Sequence, residues 1–214
     1  MIRVLLTLVV VILGSTSCTD TRSHARAVFV LLDISGTYVN EIDKARRIVD
    51  YLLAVLGPGD SLAVARIDSA SFSEKDIVAS ITFSDRPSMA NAEKRAYRAA
   101  IDKFAQTVRQ SGHTDISGAM LQGLEYLEET GAGTRYLFVF SDLQEDLKND
   151  HVRQWTWNFH DTHVVAINVT KLDSDNRDPR EYLSRVTDWR EKVESGGGHW
   201  RVINELSHVE QVLR

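Results

Sequence analysis

The sequence predicts an α/β domain with a Rossmann-like, doubly wound sheet of six strands and helices on both faces. A continuous apolar run at 27–32 is typical of a strand buried on both sides of a parallel sheet. Further apolar strand patterns alternate with helical patterns along the chain. The link between the predicted strands 62–67 and 77–83 is too short for a crossover helix. The sheet should therefore be mostly parallel, with one antiparallel edge strand.

Each element is predicted from its own apolar spacing. The strands are short apolar runs, at 27–32, 62–67, 77–83, 136–140, 164–167 and 200–203. The helices carry apolar residues three and four positions apart, at 39–56, 88–111, 114–130, 147–159, 179–193 and in a closing segment that ends at 213.

Polar residues at the helix starts support these assignments. Ser88 is predicted to cap the long second helix, and Thr114 with Asp115 to open the third. Pro179 suits the first turn of a helix, where its missing N–H costs nothing.

The length and net charge of the chain limit the number of domains and the kinds of partner to be expected. A chain of 214 residues is long enough for one domain with a full core. The formal net charge is -5, and both signs are interspersed along the predicted helices. A nucleic-acid surface would require clustered Lys and Arg, so no nucleic-acid partner is expected.

The first 17 residues have the layout of a secretory signal peptide. Arg3 precedes an apolar stretch from Val4 to Leu13 that small residues follow. This stretch is shorter than the ~20 apolar residues of a spanning helix. Residues 18–26 then read as a tether, and 27–214 as the folded domain.

Cys18, the single cysteine, lies where the small-residue region ends and resembles the lipidated cysteine of bacterial lipoproteins. One departure is that Ser15 stands where such signals usually carry Leu. The expectation is a lipid anchor that holds the protein to a membrane of the cell envelope. Ordinary cleavage after Ser17, giving a secreted or periplasmic protein, and a retained membrane anchor stay open.

Polar residues follow three of the predicted elements. The first strand runs into Asp33, Ser35 and Thr37 in a D-x-S-x-T pattern. Thr114 opens a helix, and Asp142 stands at the tip of the strand 136–140. Open α/β sheets place their ligands at the carboxyl ends of strands. Oxygen ligands from three loops are how a hard cation is held.

These five residues, in this order, resemble the metal-ion-dependent adhesion site of von Willebrand factor type A domains. The resemblance extends from Ala27 to Arg214 and includes the stretches HTDISGAML and SGGGHWRVINELSHVEQVL. The family usually has Ser in place of Thr37 and Gly in place of Leu143. The first change keeps a hydroxyl, whereas the second alters the loop beside the metal.

The resemblance implies a site for Mg²⁺, or Mn²⁺, whose ligands are Asp33, Ser35, Thr37, Thr114 and Asp142. The hydroxyls would supply neutral oxygens, and the two carboxylates would balance the charge, often through water. Such a site leaves the cation electrophilic, so a partner's Asp or Glu could complete its shell. The expected function is a protein-interaction module of the bacterial cell envelope, and not an enzyme.

Two alternatives stay open. Asp33-Ile34-Ser35-Gly36-Thr37 also resembles the strand tip of haloacid dehalogenase-like phosphatases, with Asp142 and Asp146 as their later acidic pair. There Asp33 would be the nucleophile, but Ser35 replaces the general acid. The other alternative is a von Willebrand-type scaffold with a degenerate metal site, in which the five residues only end strands or cap helices.

Overall fold

The computed structural model describes residues 24–69, 71, 73–147 and 156–213. The predicted signal peptide, Cys18 and most of the predicted tether lie outside these residues. None of the helices in the described part is long and apolar enough to cross a membrane.

Within the residues that the structure describes, six strands form a single sheet in the order β3-β2-β1-β4-β5-β6. Their bounds are β1 Arg26–Asp33, β2 Ser61–Ile67, β3 Ile77–Thr82, β4 Thr134–Phe140, β5 His163–Ile167 and β6 His199–Ile203. The β2–β3 pair is antiparallel and the other four pairs are parallel. The predicted fold class, including the antiparallel edge strand, is confirmed.

The strand order creates a topological switch point between β1 and β4. From β1 the chain moves outward to β2 and β3, and it later returns to the other side of β1 as β4. The connections that leave these two central strands therefore diverge, which opens a crevice at their carboxyl ends. Asp33 ends β1, and Asp142 follows β4 by two residues.

In the described part of the chain, four α-helices cover the sheet: α1 Ile42–Val55, α2 Pro87–Thr107, α3 Ile116–Glu129 and α4 Pro179–Ser195. Short 3₁₀ helices lie at Gly36–Glu41, Glu74–Asp76 and Leu206–Gln211. The last of these replaces the predicted closing helix.

Two helix predictions are wrong in detail. Ser88 does not cap α2, because Pro87 occupies the first helical position and Arg86 the cap. The same helix ends at Thr107 instead of near Gly112, since Val108 turns to ψ 137°. For the helix predicted at 147–159, residues 147 and 156–159 are not helical, and the remainder lies outside the described residues.

Alternate residues of β1 enter two separate cores. Val28, Val30 and Leu32 pack against α1 and α2, while Ala27, Phe29 and Leu31 pack against α3 and α4. Each of the six is at most 1% exposed. Burial on both faces accounts for the uninterrupted apolar run, and it leaves Asp33 at the polar end of a rigid strand.

Candidate functional site

Asp33 holds two of the three predicted loops together. It is 2% exposed, and its Oδ1 accepts a hydrogen bond of 2.8 Å from the backbone N–H of Ser35. Its Oδ2 accepts a 2.6 Å hydrogen bond from Ser141 Oγ, directly before Asp142. The side chain of Asp33 thus fixes the turn that follows β1 to the end of β4. Ser141 was missed from the sequence, although it stands beside a predicted ligand.

The Ser35 loop is joined to the Thr114 loop through the backbone. Ser35 forms an isolated parallel bridge with Ser111, whose N–H donates to the carbonyl of Ile34 at 2.9 Å. Gly36 has φ +44°, a conformation that glycine adopts readily, and the 3₁₀ helix Gly36–Glu41 begins there. Thr37 lies in this helix, but its side chain is outside the described part of the structure.

Thr114 is 3% exposed and lies between the Ser111 loop and α3. Its backbone exchanges two hydrogen bonds with Asp146, of 2.8 and 2.9 Å, so the loop after β4 folds back onto it. Asp115 caps α3 by accepting from Gly118 N–H at 2.8 Å, as the sequence predicts. Asp146 also contacts His113, with 3.0 Å between Oδ2 and Nδ1.

A second carboxylate, Asp68, supports the Thr114 loop from the end of β2. Ser111 Oγ lies 2.6 Å from Asp68 Oδ1 and 2.8 Å from the carbonyl of His113. The carbonyl of Asp68 also accepts from Asp115 N–H at 3.0 Å. Burial raises the pKa of Asp68, but the hydrogen bonds from Ser111 and Ser69 outweigh it and lower this pKa overall.

Asp142 carries a half-buried carboxylate close to a second negative charge. Its Oδ1 accepts a 2.8 Å hydrogen bond from Gln144 N–H. Burial raises the pKa of Asp142 to about 6; the Gln144 hydrogen bond opposes this rise, and the charge of Asp33 adds to it. Burial first, and the charge of Asp33 in addition, therefore disfavour the charged form of Asp142.

Leu143, the departure from the family pattern, stands in a left-handed conformation with φ +66°. Such a conformation favours glycine, the residue that the family usually has there. Leu143 N–H donates to Ser141 Oγ at 3.0 Å, and its carbonyl accepts from Trp189 Nε1 at 3.1 Å. With its side chain 2% exposed, packing and hydrogen bonds hold the turn despite the Cβ.

Arg185 on α4 anchors the same loop and gave no signal in the sequence. Its Nε donates to the carbonyl of Asp142 at 3.0 Å. Its two terminal nitrogens bind the carboxylate of Asp175 at 3.1 and 2.8 Å. The side chains are 10% and 0% exposed, so this is a buried bidentate ion pair.

The structure thus brings all three predicted loops to one edge of the sheet. Among the described residues, no three His, Cys, Asp or Glu side chains are placed to hold a metal ion. A metal here would have to use hydroxyl oxygens as well, and three of the five predicted residues, Ser35, Thr37 and Thr114, carry a hydroxyl. Both Asp33 oxygens already accept hydrogen bonds. This carboxylate therefore fits a role through bound water, and the donor set suits a hard cation such as Mg²⁺.

A phosphatase site would require contacts that differ from those observed here. A nucleophilic aspartate needs an accessible oxygen, whereas Asp33 is buried with both oxygens bound. Of the later acidic pair, Asp142 and Asp146, the side chain of Asp146 is 62% exposed and pairs with His113. These contacts do not favour phosphoryl transfer.

No family model and no curated protein sequence matches the chain. Several solved structures, however, have a similar fold. A von Willebrand factor type A protein from Catenulispora acidiphila has a TM-score of 0.51 at 10% identity, covering 88% of this chain and 41% of that one. The pilus adhesin SpaC from Lactobacillus rhamnosus GG, in its open conformation, has a TM-score of 0.54 at 13% identity, covering 89% and 29%.

A third structure is similar over nearly its whole length. It is an aerotolerance-related membrane protein from Bacteroides fragilis NCTC 9343, with a TM-score of 0.50 at 15% identity, covering 88% of this chain and 96% of that one. The chain spans less than half of the other two proteins. At these identities the likeness concerns the fold alone. The chain has the von Willebrand factor type A fold.

Proposed function

We propose that the chain is a protein-interaction module that binds its partner through a divalent cation, Mg²⁺ or Mn²⁺. The five residues that would hold the ion are Asp33, Ser35, Thr37, Thr114 and Asp142. The observation that carries the proposal is the meeting of their loops at the switch point between β1 and β4. Those loops are joined by the Asp33–Ser141 hydrogen bond and by the Ser35–Ser111 and Thr114–Asp146 bridges.

Charge supports the same proposal. Burial and, to a smaller degree, the charge of Asp33 raise the pKa of Asp142, so this half-buried edge favours a cation beside its carboxylates. A bound divalent cation would supply the missing positive charge and an open coordination position. Ser35 and Thr114 would contribute neutral oxygens, which leave the ion under-neutralised.

The partner should therefore supply an Asp or Glu to the ion. A carboxylate that enters this partly desolvated edge would make a charge-assisted contact, stronger than a contact between neutral groups. Binding would be lost without the ion. We do not assign a catalytic role to any residue, because no reaction is needed to explain the arrangement.

The cell envelope is the proposed location. The signal-like residues 1–17 and Cys18 support a lipid anchor, and a secreted or periplasmic protein is the alternative. Two of the structural neighbours are named as a membrane protein and a pilus adhesin, which agrees with this location. In a Cys18→Ser variant, lipid labelling and membrane association should both be lost. Unchanged membrane association, together with an unlabelled parent, would contradict the anchor.

Partner capture with and without a chelator tests the interaction. The full chain is used as bait in Mg²⁺ or in excess EDTA, beside Thr114→Ala and Thr107→Ala. Thr107 is an exposed threonine at the end of α2 and serves as the matched control. The proposal expects a partner that binds the parent and Thr107→Ala in Mg²⁺ only, and Thr114→Ala in neither condition. A partner retained in EDTA would favour a scaffold with a degenerate site.

A further inference from the structure

Strand β6 lies at the end of the sheet and is paired along one side only within the described residues. The N–H of His199 donates to the carbonyl of Thr162 at 3.0 Å. The carbonyl of Ile203 accepts from the N–H of Asn168 at 2.9 Å. Because β6 pairs with β5 in parallel, positions 199, 201 and 203 direct their backbone groups to β5.

The two residues between these positions face the other way. The N–H and carbonyl groups of Trp200 and Val202 point away from β5, and they form no hydrogen bond within the part of the chain that the structure describes. We call these four groups, with the side chain of Arg201 between them, the open side of β6. An unpaired row of N–H and carbonyl groups is a template for an additional strand.

The opposite edge strand, β3, is protected from such pairing. The hydroxyl of Tyr97 on α2 donates to the carbonyl of Ala79 in β3 at 3.1 Å, and the helix packs against this strand. The register of β2 and β3 also shifts between Val64 and Ala65. Coverage and bulges are ways in which natural sheets avoid edge pairing. The register of β6 with β5, in contrast, is continuous from 199 to 203.

The side chains of β6 differ between its two faces. On one face, His199 is already bonded to Asp161, with 2.6 Å between Nε2 and Oδ1. Arg201, on the same face, is exposed and forms no ion pair among the described residues. On the other face, Trp200 and Val202 are half-buried against the core beneath α3 and α4. An added strand would therefore meet a cation on one face and an apolar surface on the other.

A cavity of about 310 Å³ lies beside Arg201. Its lining includes His163 and Val165 of β5, together with Gln211 and Val212, and none of its lining residues is acidic. An acidic side chain of an added strand could enter this space and contact the guanidinium of Arg201. The planar guanidinium group binds a carboxylate through two parallel N–H groups.

Charge argues against a second copy of this chain as the added strand. Two β6 strands related by a twofold axis would pair Trp200 of one copy with Val202 of the other. That register places the two Arg201 side chains directly opposite each other, where like charges are destabilising. A strand from a different protein can instead place a carboxylate opposite Arg201.

We propose that the open side of β6 binds an extended segment of a second protein as an additional, antiparallel strand. The residue opposite Arg201 is Asp or Glu, because this is a non-hydrogen-bonded pair, in which antiparallel side chains lie closest. The residues before and after it are apolar and cover Trp200 and Val202. The recognised sequence is thus apolar–acidic–apolar. This contact uses none of the five proposed metal ligands.

Amide hydrogen exchange of the full chain, followed by NMR, tests the site with the peptide acetyl-Ser-Thr-Val-Glu-Val-Thr-Ser-amide. We expect a Kd of about 1 mM or tighter. In the free chain, the amides of Trp200 and Val202 should exchange at least about tenfold faster than that of Arg201, and saturating peptide should slow both by about tenfold. EDTA and Thr114→Ala should change neither result, so failure of the metal site is separable from failure here.

Two outcomes of this measurement would overturn the proposal. Slow exchange of the Trp200 and Val202 amides in the free chain would mean that a second copy or another part of this chain already covers the open side. Exchange that the peptide does not alter would mean that no strand is added.

Exchange of charges tests the role of Arg201. Arg201→Glu should weaken binding of the Glu peptide by about fivefold or more, and should favour the same peptide with Lys in place of Glu. Arg190→Glu is the matched control, because it changes the net charge equally at an exposed position of α4, outside the sheet. If Arg190→Glu weakens binding as much as Arg201→Glu does, only net charge acts and the proposal fails.

Methylation of the peptide backbone tests the pairing itself. N-methylation of the first Val of the Glu peptide removes an N–H that would face β6, so binding should be lost. N-methylation of Glu alters an N–H that would face solvent, and binding should stay within about threefold of that of the parent peptide. Equal effects of the two methyl groups would show that side chains alone hold the peptide and would contradict strand addition.

Discussion

The carboxyl edge of the sheet and the exposed side of α3 are both rich in acidic residues, but the contacts of their carboxylates differ. At the edge, Asp33 accepts two hydrogen bonds and Asp175 is clamped by Arg185. On α3, the exposed Glu125 and Glu129 form no ion pair within the described residues. The acidic side chains of the edge hold its loops in place, whereas those of α3 make no such contact.

This difference matches the role that we propose for the edge. A small divalent ion requires oxygens at fixed positions, and hydrogen bonds between loops fix them. Among the described residues, the exposed carboxylates of α3 make no such contact between loops. Removing the hydrogen bonds or the ion pair of the edge should therefore destabilise the fold, whereas neutralising an exposed carboxylate of α3 should not.

The largest expected effect is at Arg185. Arg185→Met leaves the buried Asp175 carboxylate without its partner, and we expect a loss of about 3 kcal/mol in the free energy of unfolding. Urea denaturation measures it. The double variant Arg185→Met with Asp175→Leu should recover much of that loss, because no unpaired charge remains. A loss below about 1 kcal/mol in the single variant would contradict the anchoring role of this pair.

A pH dependence should come next in size. Folding raises the pKa of Asp142 from 3.8 to about 6, so the folded chain binds the proton more tightly than the unfolded chain. This group's contribution to stability is therefore present at low pH and is lost as pH rises from about 4 to about 6. Asp142→Asn should remove that decline and be more stable than the parent at pH 7. Melting temperatures of the parent and of Asp142→Asn, measured between pH 4 and pH 7.5, test this prediction.

Proton binding at Asp142 should also compete with the metal. Metal ligands must be deprotonated, so Mg²⁺ affinity should fall by up to about tenfold for each pH unit below about 6. An affinity that is constant from pH 7.5 to pH 5 would show that Asp142 takes no part in holding the ion.

A smaller effect is expected at Leu143, where backbone strain opposes burial. Leu143→Ala loses the buried side chain but keeps the unfavourable φ, whereas Leu143→Gly loses the side chain and relieves φ. We expect both variants to be destabilised, with Gly the more stable by about 1 kcal/mol. At an ordinary position inside a helix, Ala is instead more stabilising than Gly. Chemical denaturation of the two variants side by side gives the comparison.

The smallest expected effect is a gain in stability, at Glu129. Glu129→Gln removes one member of a like-charged pair four residues apart, near a helix C-terminus that disfavours negative charge. The free energy of unfolding should rise by about 0.3 kcal/mol at low salt, and the gain should vanish at high salt. A loss of stability would mean that this carboxylate already has a structural partner, and the contrast between the two regions would fail.

Much of the fold could be predicted because its signals are local. The run at 27–32 is apolar without interruption since both faces of β1 are buried. The short link before β3 required an antiparallel edge, and Pro179 marked the start of α4. Ser88 failed as a cap because Pro87, a residue earlier, is the stronger start signal.

The contacts that assemble the candidate site were less accessible from the sequence. Ser141 bonds to Asp33 across 108 positions, and Arg185 reaches the carbonyl of Asp142 from a different element. Neither contact leaves a periodic pattern. The backbone conformation of Leu143 could not be predicted from the sequence either. Leu143 departs from the family pattern, yet it keeps the left-handed conformation in which glycine is favoured.

Calorimetric titration of the full chain with Mn²⁺ or Mg²⁺ at pH 7.5 tests the central claim most directly. The matched variant is Asp33→Asn, whose amide can accept from Ser35 N–H and donate to Ser141 Oγ, preserving both contacts without the charge. The account predicts one ion per parent chain and at least about tenfold weaker binding in the variant, with an unchanged circular dichroism spectrum. Equal binding by the parent and Asp33→Asn, or no binding by either, would contradict it.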